Sequence, residues 1–315
     1  MSISEYKPTI YLLILTWKDF LNTIRCAESV IKSVSDIKYL KLSIIIIDNN
    51  SNDESTKQLR FFVQSIKREH KNPRIELIEN RENLGYAGGN NIGIKKALKE
   101  GANWIFILNN DTRLDPKFFE KIEQYLRDKK GQIIQPLIIE SSNRNNERNV
   151  FFGQVKWLSS ELEHVYQLRS NDINISTKYY AVGAAFLAKK EVFEKIGLLD
   201  SSYFLYFEDA DFSIRAQRAG FKIISASNAI IKHRVSVSAS KLGSARLLYY
   251  HFRNALYFNY KLGPWWTRAL LYPWSLWILI KQIVKLTFGR EREKSKMIIS
   301  GISDFYKHKM GKLEK

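Results

Sequence analysis

Short apolar runs alternate with longer amphipathic segments along the first part of the chain. The runs are Ile10–Leu15, Leu42–Ile47, Ile75–Ile78 and Trp104–Leu108. The segments between them have the length of helices and cover Phe20–Val34, Glu54–Glu69 and Ala87–Lys99. Short strands that are apolar throughout are typical of a parallel sheet covered on both faces. The pattern therefore predicts an α/β fold whose sheet is mainly parallel and flanked by helices.

The sequence predicts a helix that starts at Asp115-Pro116 and runs to about Arg127. After this helix the alternation of apolar runs and amphipathic segments is less regular. The polar stretch Ser141–Asn149 has no apolar residue and predicts a loop. The remaining predicted elements are a hairpin at Phe151–Tyr166, an apolar segment at Tyr179–Ala188, helices at Glu191–Ile196 and Phe207–Ala219, and a strand at Phe221–Ile231. A glycine directly after each of the two helices is a common helix stop.

Positive charge is concentrated at the C-terminal end. The chain of 315 residues has a net charge of +18, and residues 241–315 hold 15 Lys and Arg against 4 Asp and Glu. Tryptophans interleave with these charges, as in segments that lie on anionic membranes. The longest uncharged run, Ala269–Ile280, has 12 residues, whereas a spanning helix needs about 20. We expect a catalytic domain (1–240) and a basic, amphipathic helical extension (241–315) that lies on an anionic membrane surface, or alternatively caps the core.

Polar motifs follow three of the predicted strands. Ligands of open parallel sheets bind beyond the carboxyl ends of the strands. Asp48, after the second strand, could accept a hydrogen bond from a nucleotide base, or belong to a loop that caps the next helix. The glycine-rich segment Asn83–Gly93 could bring backbone N–H groups to a diphosphate, or be a simple glycine turn.

Two further positions carry candidate chemistry. Asp111 is an oxygen ligand suited to Mg²⁺ or Mn²⁺, and His233 would be a second ligand that favours Mn²⁺, unless it is a structural histidine. Glu208 and Asp209 follow the apolar run Tyr203–Phe207. They could supply a general base, or be solvated acids in the first turn of a helix. The single cysteine, Cys26, fits a reducing compartment.

Taken together, these segments resemble a family-2 glycosyltransferase with a GT-A fold, of the rhamnosyltransferase-like branch. The resemblance covers residues 9–235 and rests on motifs in the order expected of that family. They are IDNNSNDES (Ile47–Ser55), ENLGYAGGNNIG (Glu82–Gly93), LNNDT (Leu108–Thr112), VGAAFLAKKEVFEKIGLLD (Val182–Asp200), FLYFEDADFSIRAQRAG (Phe204–Gly220) and AIIKH (Ala229–His233).

The resemblance implies a role for each matching residue. Asp209 would be the catalytic base and Glu208 its acidic neighbour. Asp111 and His233 would hold Mg²⁺ or Mn²⁺, with Asn109 in the place of the usual first acid. The nucleotide-sugar donor would be bound by Thr16, Asp48, Asn80, Asn83, Gly85, Asn110, Gly183 and Ala184. Lys18 stands where the family often has asparagine.

The resemblance also implies an activity and a location. The expected reaction is inverting transfer of a sugar from a nucleotide-diphosphate sugar, first of all dTDP-rhamnose, to a hydroxyl of a lipid-linked glycan. UDP-galactose, UDP-galactofuranose and UDP-N-acetylglucosamine are the alternative donors. The enzyme would be cytoplasmic and peripheral on the inner face of the cell membrane.

Three other classes of protein are weaker interpretations. A sugar-1-phosphate nucleotidyltransferase normally has a glycine-rich loop after the first strand, but Thr16–Phe20 contains no glycine. A non-catalytic, membrane-associated scaffold for polysaccharide assembly would not need the carboxylates at Asp111 and Asp209. A nucleic-acid binder would explain the charge but not those acids, so no nucleic-acid partner is expected.

Overall fold

The computed structural model describes residues 7–69, 72–128, 131–141, 147–168, 178–234 and 244–314. Its strands are β1 (Thr9–Thr16), β2 (Lys41–Asp48), β3 (Arg74–Glu79), β4 (Trp104–Asn109), β5 (Thr112–Leu114), β6 (Ile133–Ser141), β7 (Glu147–Val150), β8 (Phe152–Lys156), β9 (Glu161–Val165), β10 (Tyr179–Tyr180), β11 (Ala185–Lys189) and β12 (Ile223–Arg234). Its helices are α1 (Phe20–Val34), α2 (Glu54–Glu69), α3 (Gly85–Lys99), α4 (Phe118–Arg127), α5 (Lys190–Ile196), α6 (Glu208–Arg218), α7 (Ser244–Leu262), α8 (Trp265–Thr287) and α9 (Arg292–Tyr306).

One half of the large sheet is parallel, with the strand order β3-β2-β1-β4. Successive residues of β1 contribute to cores on opposite faces, with Leu12 and Ile14 in one and Leu13 in the other. This arrangement explains why each strand is apolar throughout, and it confirms the strands and helices predicted for the first part of the chain. The carboxyl ends of β1, β2 and β4 meet at one edge, with Thr16 opposite Asp48.

The other half of the sheet is mixed. β11 runs antiparallel to both β4 and β6, whereas β12 is parallel to β6 and antiparallel to β5. The prediction of a loop over Ser141–Asn149 is wrong in part. Ser141 ends β6, and Glu147–Asn149 belong to β7, which pairs with β6. A polar segment can form this strand because the backbone makes the pairing and three of its four side chains are exposed. Residues 142–146 lie outside the described part.

β8, β9 and β10 form a second, three-stranded sheet. The predicted hairpin is confirmed as β8 and β9, and β10 pairs with β8. Trp157, in the hairpin turn, stacks on Phe258 of α7 with ring centroids 5.2 Å apart. The hairpin therefore lies between the large sheet and the C-terminal helices.

The C-terminal helices pack on one another and on the sheet region through α7, in which Arg253, Asn254 and Leu256 are fully buried. α8 is different, because Trp265 and Trp277 expose 82% and 59% of their surface. By length and composition this 23-residue helix is apolar enough to cross a membrane. The residue boundary expected at 240/241 lies in the segment that the structure does not describe.

Candidate active site

Side chains at the ends of β1 and β4 form a buried hydrogen-bonded group. Thr16 accepts a hydrogen bond from Thr23 Oγ1 at 2.8 Å, and Asn110 Nδ2 donates to Thr23 Oγ1 at 3.2 Å. Thr16 and Asn110 are 2% and 5% exposed. The structure therefore brings these two predicted donor-binding residues together, about the first turn of α1.

Asp48 contacts the residues that follow it. Its Oδ1 accepts from Ser51 N at 3.0 Å and Ser51 Oγ at 2.5 Å, and its Oδ2 accepts from Thr56 Oγ1 at 2.5 Å. These contacts are those of the loop and helix-cap interpretation. The hydrogen bond expected between Asp48 and a nucleotide base stays a prediction.

Asn49, which the sequence analysis did not assign a role, connects the two predicted asparagines. Its Oδ1 accepts from Asn80 Nδ2 at 3.0 Å, and its Nδ2 donates to Asn83 Oδ1 at 3.0 Å. Asn83 Oδ1 also accepts from Gly85 N at 2.9 Å. Gly85 has φ +74°, and a Cβ there would overlap the carbonyl oxygen of Phe204, so glycine is required both by the backbone and by the neighbour.

The two candidate catalytic acids lie in the first turn of α6. Asp209 Oδ2 accepts from Gly183 N at 2.7 Å, and its Oδ1 accepts from Ala210 N at 2.8 Å. A Cβ at Gly183 would lie 3.0 Å from Asp209 Oδ2, so glycine permits this close approach. The hydroxyl of Tyr86 donates to Gly183 O at 2.5 Å. Gly183 therefore contacts Asp209, and the adjacent Ala184 is buried; binding of the donor sugar by these two residues stays a prediction.

Burial shapes the protonation of these acids. It raises the pKa of Glu208 well above the usual range, and the charge of Asp209 adds to that effect. Burial also raises the pKa of Asp209, but the N–H groups of Gly183 and Ala210 oppose the rise. A proton is therefore favoured on Glu208, which leaves Asp209 as the anion. Burial raises the pKa of Tyr86 well above its usual range, and the nearby acids add to that rise.

A line of four polar side chains runs from the sheet edge to the hairpin. Asp111 Oδ1 lies 3.3 Å from His233 Nε2, and Glu140 lies 3.6 Å from His233 Nδ1 and 3.2 Å from His164 Nδ1. Burial would lower the pKa of His233, but Asp111 and Glu140 raise it to about 9. Burial would raise the pKa of Glu140, but the two histidines bring it to about 2.

Sequence reasoning missed Glu140 and His164. Glu140 is the next-to-last residue of the strand β6 and is the register partner of His233. Its position at a strand end was visible in the sequence, but the pairing of β6 with β12 was not.

Asp111 and His233 fit a divalent cation. Asp111 Oδ1 is buried without a hydrogen bond. Its distance from His233 Nε2 is close to that between neighbouring ligands of an octahedral ion with bonds of about 2.1 Å. No set of three His, Cys, Asp or Glu residues suited to a metal occurs among the described residues. Two protein ligands are enough for Mg²⁺ or Mn²⁺, because phosphate oxygens and water commonly fill the remaining coordination positions.

Two cavities open at this edge of the sheet. One of about 350 Å³ is lined by Asp48 and Asn80 among others. The other, of about 490 Å³, is lined by Trp17 and Asn83 and also by Arg246, Lys312 and other C-terminal residues. The C-terminal region therefore forms one wall beside the predicted nucleotide site, which the sequence did not indicate.

A sheet edge that gathers a glycine-rich helix start, the pair Asp111 and His233, and the adjacent acids Glu208 and Asp209 matches the arrangement expected of a glycosyltransferase of the GT-A type. The family model for glycosyl transferase family 2 matches residues 14–197. The chain belongs to that family.

The curated relatives include sugar transferases that act in glycan assembly. The chain is 25% identical to the low-salt glycan biosynthesis hexosyltransferase Agl10 of Haloferax volcanii, over 90% of this chain and 91% of that one. It is 21% identical to the dTDP-rhamnosyl transferase RfbF of Shigella flexneri, over 78% of each. It is 20% identical to the N-acetylglucosaminyl-diphospho-decaprenol L-rhamnosyltransferase of Mycobacterium tuberculosis, over 87% of this chain and 94% of that one. The prediction of a rhamnosyltransferase-like glycosyltransferase is confirmed.

Solved structures confirm the fold. GalNAc-T7 with UDP, GalNAc and Mn²⁺ has a TM-score of 0.59 and 21% identity, and the match covers 73% of this chain and 43% of that one. The mannosyltransferase PcManGT of Pyrobaculum calidifontis, in complex with GDP-Man and Mn²⁺, has a TM-score of 0.57 and 13% identity over 97% of this chain and 89% of that one. The chain has the GT-A fold with added C-terminal helices.

Proposed function

We propose that this glycosyltransferase moves a hexose, first of all rhamnose from dTDP-rhamnose, to a hydroxyl of a lipid-linked glycan with inversion at the anomeric carbon. The observation that carries the proposal is Asp209. It is a half-buried carboxylate at a helix N-terminus, oriented by Gly183 N–H, among residues that match a sugar-nucleotide site. An oriented and partly desolvated carboxylate is suited to remove a proton from an attacking hydroxyl.

The proposed reaction is a single displacement. The acceptor oxygen bonds to the anomeric carbon as the bond from that carbon to the donor phosphate breaks. Asp209 takes the proton of the acceptor hydroxyl, and the nucleoside diphosphate leaves. Glu208, protonated beside it, limits the charge repulsion that would otherwise raise the pKa of Asp209 further.

Asp111 and His233 are the proposed ligands of Mg²⁺ or Mn²⁺. A bound cation would neutralise charge on the departing diphosphate. The residues themselves contribute a buried carboxylate oxygen that lacks another partner and a ring nitrogen 3.3 Å from it. Mn²⁺ in the two solved relatives supports this assignment.

The names of two relatives support the proposed donor sugar. RfbF is named as a dTDP-rhamnosyl transferase and the mycobacterial relative as an L-rhamnosyltransferase, which favours dTDP-rhamnose. UDP-galactose, UDP-galactofuranose and UDP-N-acetylglucosamine are the alternative donors. The proposed donor contacts are the residues named above at the ends of β1 to β4, together with Gly183 and Ala184.

The proposed acceptor lies at an anionic membrane on its cytoplasmic side. α8 buries a stripe on α7 and α9. Its opposite face exposes large apolar side chains, which are Trp265, Leu270, Tyr272, Leu276, Trp277, Ile280, Ile283 and Val284. Arg268, Lys281 and Lys285 occur in the same helix. A helix with an apolar outer face and cationic residues is suited to lie on an anionic lipid surface. The mycobacterial relative is named for a diphospho-decaprenol acceptor.

Calorimetry with a panel of nucleotide sugars, with and without Mn²⁺, tests the proposal. We expect one thymidine or uridine sugar to bind in a Mn²⁺-dependent way, and the matching acceptor to receive the sugar with inverted configuration. Failure of a folded sample to bind any member of the panel would contradict the proposal. It would favour the alternative of a non-catalytic scaffold at the membrane.

A further inference from the structure

The segment that leads into the catalytic acids has an unfavourable backbone. Phe204, Tyr206 and Phe207 have φ angles of 62°, 70° and 76°. Large aromatic residues seldom adopt positive φ, because the Cβ atom then crowds the backbone. Such conformations persist only where the surrounding structure imposes them, and they are frequent at functional sites. Since Phe207 directly precedes α6, whatever holds this segment also sets the position of Glu208 and Asp209.

Asn254 of α7 holds the segment by its carbonyl groups. Its Nδ2 lies 2.9 Å from Tyr203 O, 2.7 Å from Leu205 O and 3.2 Å from Tyr206 O, so its two N–H groups are shared among three carbonyls. Asn254 is fully buried, so water does not compete for these contacts. One amide group thus contacts three carbonyls of the segment with positive φ angles.

Arg253 fixes the orientation of that amide. Its Nε donates to Asn254 Oδ1 at 3.0 Å, so that Asn254 Nδ2 must face the carbonyls. Its Nη2 donates to Tyr203 O at 3.1 Å and its Nη1 to Gly311 O at 2.7 Å. Arg253 is also fully buried.

The opposite side of the segment contacts the first turn of α3, which lies in the glycine-rich segment Asn83–Gly93. Phe204 O accepts from Tyr86 N at 2.6 Å, and Tyr86 in turn contacts Gly183, which donates to Asp209. The segment 203–207 therefore lies between α7 and the loop assigned to the donor, and it ends at the acid pair.

We propose that Asn254, oriented by Arg253, is the positioning residue that imposes the backbone of residues 203–207 and thereby aims Asp209 at the acceptor hydroxyl. The C-terminal helices would then serve catalysis in addition to attachment. The inference rests on the proposed role of Asp209, so its test includes a measurement that does not depend on activity.

The test compares two asparagines of the same helix. Asn259 is also buried, but its Nδ2 donates to Ala255 O within α7 at 2.9 Å. In Asn254→Ala we expect kcat to fall about 10²-fold, the scale of a small misplacement of a reacting group. We expect the donor dissociation constant to change less than about threefold, since the strand-end residues are untouched. Asn259→Ala should keep kcat within about threefold of the wild type.

Hydrogen exchange of residues 204–211 gives the independent measurement. Faster exchange there in Asn254→Ala, but not in Asn259→Ala, would support the positioning role even if the wild type proved inactive and the proposed function failed. Equal losses of kcat in both variants, or unchanged exchange and kcat in Asn254→Ala, would overturn it. If Asn254→Ala does not fold, Arg253→Lys serves instead, because lysine cannot contact Asn254 Oδ1 and Tyr203 O in the same way. In Arg253→Lys we expect kcat to fall less than in Asn254→Ala and the hydrogen exchange of residues 204–211 to be faster than in the wild type. Wild-type values for both kcat and exchange would overturn the proposal.

Discussion

The catalytic sheet and the helix α8 bury different kinds of side chain. β1 places Ile10, Leu12, Leu13 and Ile14 in the interior with no exposed surface. The buried stripe of α8 contains the polar residues Thr267, Ser275 and Gln282 beside Leu271 and Ile278, whereas most of its large apolar residues point outward. One region has the arrangement of a protein that is folded in water. The other has an apolar outer face that a lipid surface would cover.

This difference separates the tasks of the two regions. Because the parallel strands are covered on both faces, polar chemistry can reach a ligand only at their carboxyl ends. The C-terminal region has its polar contacts inside, where Arg253 and Asn254 meet the segment before the acids. We infer that the side chains at the sheet edge carry out the reaction and that α7 orients the segment before the acids. We also infer that α8 attaches the enzyme to the membrane.

The largest effect is expected at Asp209. The change Asp209→Asn keeps the shape and can still accept from Gly183 N–H, but an amide cannot take the acceptor proton. Turnover should fall about 10² to 10⁴-fold, the usual scale for a general base, while nucleotide-sugar binding by calorimetry is retained. Glu293→Gln is a control on the C-terminal side, since the side chain of that acid is 78% exposed and forms a surface pair with Lys296. Near-normal turnover in Asp209→Asn would place the chemistry elsewhere.

A smaller effect is expected at Glu140, which contacts His233 from the side away from Asp111. Groups that orient a metal-binding histidine typically change metal affinity about 10- to 100-fold. Glu140→Gln should weaken Mn²⁺ binding on that scale, as measured by electron paramagnetic resonance, and saturating Mn²⁺ should restore part of the turnover.

The matched control for Glu140 is Glu163→Gln. Glu163 is next to His164 in β9 but pairs with Lys156 at the surface, 2.6 Å away and 45% exposed. Surface pairs of this kind contribute little, so Mn²⁺ affinity should be unchanged. Equal affinity of wild type and Glu140→Gln would mean that His233 is held without Glu140 or is not a ligand.

The elements of the catalytic sheet could be predicted because local pattern and tertiary structure agree there. The apolar runs before Asp48 and Asn109 form strands, and glycine at 85 meets a backbone that requires it. Prediction failed where contacts between distant residues decide the structure. The polar strand β7 depends on pairing with β6, and the link from Glu140 to His233 depends on pairing of β6 with β12.

The conformation before α6 is the clearest case of such long-range control. Nothing local favours positive φ at three aromatic residues. Asn254, about fifty positions further along the chain, supplies the hydrogen bonds that impose it. The charge and the tryptophans of residues 241–315 indicate a membrane segment. They do not indicate that Arg253 and Asn254 are buried, because composition does not show which residues are buried.

The smallest effect on turnover, and the sharpest test of α8, is expected from Leu276→Glu combined with Ile280→Glu. Both side chains are more than half exposed, so the free energy of unfolding should change by less than about 1 kcal/mol, as is usual for surface sites. Vesicles that contain anionic lipid should bind the variant at least about tenfold more weakly, because burial of each large apolar side chain contributes about 1.5–3 kcal/mol. Turnover of a water-soluble acceptor should stay near the wild-type value.

Phe61→Glu is the matched control, because Phe61 is 57% exposed on α2, in the water-facing part of the molecule. It should leave vesicle binding unchanged. If the α8 variant binds vesicles like the wild type, the apolar outer face does not meet lipid, and the contrast between the two regions would instead point to a protein that covers α8. If it loses binding and keeps turnover of the soluble acceptor, attachment and chemistry are separable, as the division between sheet edge and outer helix face requires.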